Sequence, residues 1–315
     1  MTEPVLTVAW LVLAHLIADF VLQNDWIAMH KGAGSREGWS ALAVHGAHVG
    51  LCLVPAVLAW GAPGLLYLVV VVISHMGVDR WKVRATRNAD AHAQAVARAR
   101  IARGGVEQVS GLGAAWSPTP GLLFLADQVF HLLFAIVGWL LILAGATLMP
   151  AFVDVVNTAL RDWDRGTVHA VFLTGVVLLS LLIVNTRGAF YFVLAMSSPR
   201  EVLPVGAAAA VSVALEPDPE TPEPPAAILS PVVPTGAPAR VVGTTLAFER
   251  LLVVALMLVG AQVAIAAVIA FDLIARFQQL EDRRYVEHYI LSTFASLSVA
   301  VGSGLVALAA LRTLG

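Results

Sequence analysis

Four pairs of ionisable residues stand inside apolar runs of this chain, each spaced for one face of a helix. They are His15 with Asp19, His45 with His48, His75 with Asp79, and Asp127 with His131. Three pairs are four residues apart and one is three apart, the separations that put side chains one turn above each other. Ionisable groups are costly inside a bilayer, so they face a cavity, pair with one another or take part in function. Five imidazoles and three carboxylates are suitable ligands for divalent zinc, iron or manganese and could hold one ion or two. The bland alternative is a structural polar network whose members satisfy each other or a neighbouring helix.

The elements that must position these pairs follow from composition. Of 315 residues 59% are apolar and 13% charged, with a mean hydropathy of +0.83, far from the balance of a water-facing globule. Apolar runs of about twenty residues, enough to cross roughly 30 Å of hydrocarbon, recur at 5–23, 41–60, 63–79, 120–149, 168–196, 245–271 and 289–311. They are too long and continuous for barrel strands, and inside lipid a helix satisfies its own backbone. The fold class is therefore all-α, a polytopic transmembrane bundle of about seven spans. The first run has no basic leader and no small-residue cleavage site, so it is expected to remain as a membrane helix. A net charge of -2 and the lack of a basic and aromatic reading surface argue against nucleic acid. Cys52 is the lone cysteine, which leaves neither a disulfide framework nor a thiolate cluster.

Arg80, Lys82, Arg84, Arg87, Arg98, Arg100 and Arg103 follow the third run, which places a loop over 80–118 on the cytoplasmic side. Seven simple crossings then put Arg276, Arg283 and Arg284 outside, against the same rule, so a re-entrant segment near them is an open alternative. Residues 199–244 are rich in Pro, Ala, Val and acidic residues and read as a disordered linker between a five-span unit, 1–198, and a two-span unit, 245–315. Residues 88–103 read as a cytoplasmic helix touching anionic lipid, and 104–115 as a tether.

With this topology all eight chemical residues lie within roughly 17 Å of the inner surface, at overlapping depth. Arg80 and Lys82 read as interfacial anchors or as binders of a lipid phosphate or carboxylate substrate at the mouth of the site. Trp26, Trp39 and Trp81 suit an interfacial belt, and Gly46-x-x-x-Gly50 suits close helix packing. Glu249, Arg250, Arg276, Glu281, Asp282, Arg283 and Glu287 read as a solvated connector with ion pairs.

His15-Leu-Ile-Ala-Asp-Phe-Val-Leu-Gln23 with Asp25-Trp26, the His45 and His48 pair, His75-x-x-x-Asp79-x-x-Lys82 and Asp127-Gln-x-x-His131 together resemble the bacterial membrane family known as domain of unknown function 3307. The resemblance covers about the first 135 residues, with a similar stretch from Glu249 to Glu287. It implies a multi-pass protein of the bacterial inner membrane and supplies no reaction. Two function classes follow from the residues. One is a metal-dependent intramembrane hydrolase acting on an ester, phosphoester or peptide bond at the inner leaflet. The other is a proton or ion transporter, or a scaffold with a buried polar core. The matching His-x-x-x-Asp edges of the first and third runs suggest a two-span repeat, compatible with either class.

Overall fold

The structure, a computed structural model, describes residues 4–102, 117–197, 237–277, 281 and 283–314. These form eleven α-helices, with no strand among the described residues. The helices are α1 (Pro4–Phe20), α2 (Asp25–His30), α3 (Arg36–Trp60), α4 (Ala62–Ala102), α5 (Thr119–Gly138), α6 (Pro150–Ala159), α7 (Arg165–Ile183), α8 (Ala189–Ser197), α9 (Ala237–Leu258), α10 (Gln262–Ala275) and α11 (Arg283–Leu311). Five helical stretches, 36–60, 62–93, 119–143, 165–197 and 286–314, are long and apolar enough to cross a membrane. This is a membrane protein.

The shortest apolar element near the site holds its centre. Helix α1 has only 17 residues but buries Leu11, Leu13, Ala14, His15, Leu16, Ala18, Asp19 and Phe20 on several faces. It packs against α3, α5 and α7. A helix enclosed on several sides is apolar nearly all round, which is why its two ionisable residues stand out in the sequence. Helices α3 and α4 form a tight hairpin at Gly61, whose φ of 62° suits a residue without Cβ. Tyr67 of α4, fully buried, donates from its hydroxyl to the Ala135 carbonyl of α5 at 3.0 Å. Tyr67→Phe should lower the midpoint stability in a denaturant titration by about 1 kcal/mol, the net worth of one such bond.

The single crossing expected at 245–271 is replaced by a helical hairpin. Helix α9 ends at Leu258, the chain reverses at Gly260 with φ 78°, and α10 returns. Arg276 after α10 pairs with Glu249 of α9 at 3.4 Å, so both arms open at one end. His288 of α11 reaches the Ser197 carbonyl, and Gly121 at the start of α5 faces Met196 at the end of α8, which places that opening at the end of the bundle where α5 begins. The re-entrant alternative thus brings Arg276 to the same end as the basic residues that follow Asp79. Helix α4 also continues unbroken through the stretch assigned to the start of the loop. Residues 103–116 and 198–236, where the tether and most of the linker fall, lie outside the described residues, and 237–244 open α9.

Arg250 is not part of a solvated connector, since it is only 2% exposed. Its Nε donates to the Asn185 carbonyl at 2.7 Å and its Nη1 to Ser296 at 3.1 Å. Asn185 belongs to a π-helical turn, Val184–Gly188, between α7 and α8. Such a turn displaces the regular ladder of carbonyls, and the guanidinium captures one of them, fastening the hairpin to the bundle.

Candidate metal centre

Each helix brings its pair to the interior by its own periodicity. Along α4, Tyr67, Val71, His75 and Asp79 follow at successive turns of one face, and all four are buried. Helix α1 supplies Leu11, His15 and Asp19, α5 supplies Asp127, His131 and Ala135, and α3 supplies His45 and Val49. The result is layered. Carboxylates lie nearest the basic end, imidazoles one turn deeper, and apolar side chains beyond them. A small cavity of about 20 Å³ joins the last two layers, lined by His15, His75, His131, Leu53, Tyr67 and Val71 among others. It has room for a water molecule and not for an acyl chain.

His45 Nε2 and His75 Nε2 are 3.0 Å apart, and Asp19 Oδ1 lies 3.1 Å from the second and 3.5 Å from the first. Ligands about 2.0–2.1 Å from a tetrahedral zinc are separated by about 3.3 Å, so these three atoms have the spacing of a coordination face. Asp79 Oδ2 stands 3.4 Å from His45 Nε2. Asp79 and Asp127 also form a second set of three possible ligands with His131, and His15, His75 and His131 a third.

Each carboxylate is tied by one oxygen and turns the other toward an imidazole. Lys31 donates to Asp79 Oδ1 and Lys82 to Asp127 Oδ2, both at 2.7 Å. Gln128 donates its amide nitrogen to Asp19 Oδ2 at 3.2 Å and to Asp127 Oδ2 at 3.1 Å, and its carbonyl accepts from His15 Nε2 at 3.2 Å. Two carboxylate acceptors fix the orientation of that amide, which in turn puts the His15 proton on Nε2. The opposite oxygens, Asp19 Oδ1, Asp79 Oδ2 and Asp127 Oδ1, are buried without a hydrogen-bond partner. Buried acceptors are normally satisfied, so three such oxygens turned toward imidazoles call for a cation or a proton. His131 donates from Nε2 to the His75 carbonyl at 3.2 Å, which leaves its buried Nδ1 lone pair unpartnered. His45 Nδ1 has no partner either, so that ring is oriented by its packing and by the contacts of Nε2.

Lys31 lies between α2 and α3, outside the crossing helices. Burial disfavours its charge, but Asp79, with Asp19 and Asp127 behind it, outweighs burial and holds the ammonium pKa above its ordinary value.

Seven of the eight expected residues converge. His48, half-buried, joins none of the three ligand sets among the described residues. Lys82 reaches the site, whereas the Arg80 guanidinium stacks 4.1 Å over the Trp39 ring. Sequence reasoning passed over Lys31 and Gln128. Lys31 follows a six-residue helix with no periodicity to mark it, and its bonds to Gln23 and Asp79, both 2.7 Å, come from the fold and not from sequence spacing. Gln128 stands inside the Asp127-Gln-x-x-His131 motif, where its uncharged amide does not stand out as the ionisable residues do.

No curated protein and no solved structure matches the chain. Residues 7–160, from α1 through α6, match the family described as Protein of unknown function (DUF3307), and this stretch contains every member of the cluster. The stretch that carries the site, α1 through α6, therefore belongs to the DUF3307 family.

Proposed function

We propose that this protein is a metal-dependent membrane hydrolase whose ion is held by Asp19, His45 and His75. The supporting observation is that these three donors have coordination spacing, while Asp19 Oδ1 is buried, faces both imidazoles and has no lysine paired with it among the described residues. A divalent ion there would be open on one side and would acidify a bound water toward neutral pH. The cavity beside His75 can hold that water. His15, unprotonated at Nδ1, oriented by Gln128 and lining that cavity, would serve as the base. The scissile bond, an ester, phosphoester or peptide, would enter from the basic end, which the positive-inside rule assigns to the cytoplasm of a bacterial cell.

One observation favours the non-enzymatic reading. Lys31 and Lys82 already neutralise two of the three carboxylates, as a self-contained polar network would require. The apolar layer beyond the imidazoles ranks a through-path for transport lower still. Elemental analysis of purified protein separates the readings. About one zinc, iron or manganese per chain is expected, together with hydrolysis of a model ester or phosphoester that a chelator abolishes and the metal restores. Metal-free protein that keeps its fold would remove the proposal in favour of the network. Metal without chelator-sensitive hydrolysis would retain the centre and remove the reaction.

A further inference from the structure

Asp79, Asp127 and His131 make a ligand set that shares no residue with Asp19, His45 and His75. Both lysines of the cluster are bound to this second set and none to the first. We infer that Asp79, Asp127 and His131 form a second divalent-cation site, and that Lys31 and Lys82 are tethered stand-ins for its ion. The inference rests on the metal reading of the first set and adds a site to it.

Three features support this. Each carboxylate presents a buried oxygen without a hydrogen-bond partner, Asp79 Oδ2 and Asp127 Oδ1, while its other oxygen holds the lysine. The tautomer of His131 leaves Nδ1 as a lone pair 3.8 Å from Asp127 Oδ1. The charges also match, because two ammonium groups carry the same charge as one divalent ion, so exchange of one for the other leaves the net charge of the buried layer unchanged. Neither lysine sits on the core face of a crossing helix at the depth of the imidazoles. Lys82 is 28% and Lys31 13% exposed at the side chain, and Lys31 lies on the connection between α2 and α3, so on this inference both withdraw toward the basic end as the ion enters. Asp79, 3.4 Å from His45 at one oxygen, would stand between the two ions as a shared wall. Two-ion centres of this kind clamp the attacking and leaving oxygens of a displacement.

The test is metal stoichiometry in detergent-purified full-length chain titrated with zinc and then desalted. Wild type is expected to retain one ion and Lys31→Met/Lys82→Met two, because the double variant uncovers two negative charges with no cation to balance them. Adding Asp127→Asn to the double variant should return the count to one. Should the double variant fail to fold, Lys82→Gln alone decides, with a second ion expected at millimolar zinc. One ion in folded variants throughout overturns the second site and leaves the first intact. No ion in wild type sinks the reading on which it stands.

Discussion

Asp19→Asn should strip the bound metal, lowering affinity by more than about 100-fold while the protein still inserts and purifies. Outer residues that merely orient a ligand cost about 10- to 100-fold, and a direct carboxylate ligand should exceed that. The change keeps size and shape but replaces the one carboxylate that has no lysine, so loss of metal reports on ligation and not on packing. His45→Ala and His75→Ala should behave alike, though they also open cavities. His48→Ala and Arg80→Ala are the controls and should retain a full complement, since neither residue joins a ligand set. Elemental analysis checks the series. Metal retained in Asp19→Asn would dismiss the assignment of the first site.

Gly64→Ala should disrupt the fold with a single methyl group. A Cβ there would lie 2.1 Å from the Ala56 carbonyl oxygen and 2.8 Å from the Val57 Cα, all backbone of the facing helix. No rotamer change relieves a clash with backbone, so α3 and α4 must separate, and with them His45 and His75. Overpacking in a well-filled interior costs about 1–3 kcal/mol, and this case belongs at or above the upper end. The yield of monodisperse protein and its thermal midpoint should both collapse. By contrast, Gly77→Ala on the same helix meets nothing within 4 Å and should be tolerated.

The sequence exposed the site more fully than it exposed the path of the chain. His15, Asp19, His75, Asp79, Asp127 and His131 were legible because a charged residue in an apolar run is expensive and because four-residue spacing fixes a common face. His48 was misleading for the same reason: its spacing satisfies the rule, yet three residues turn it by about 60° from His45, and α3 turns His45 alone into the cluster. Lys31 escaped because a connection of a few residues carries no period. The run at 245–271 looked continuous because Gly260 is no stronger a break, read locally, than the tolerated Gly77. What distinguishes it is a positive φ, which composition does not encode. The misplaced charges of Arg276 and Arg283 were the usable signal, and they were the reason a re-entrant segment stayed open.

Helix α4 runs 41 residues without interruption, roughly 60 Å at 1.5 Å per residue, about twice the thickness of a hydrocarbon core. Beyond Gly77 it contains neither glycine nor proline, so it has no joint at the point where it leaves the bundle. Its outer half is then a lever on the same shaft as Lys82, Asp79 and His75. Torque applied to that arm by anything gripping it would turn those side chains together, with no hinge to absorb the motion.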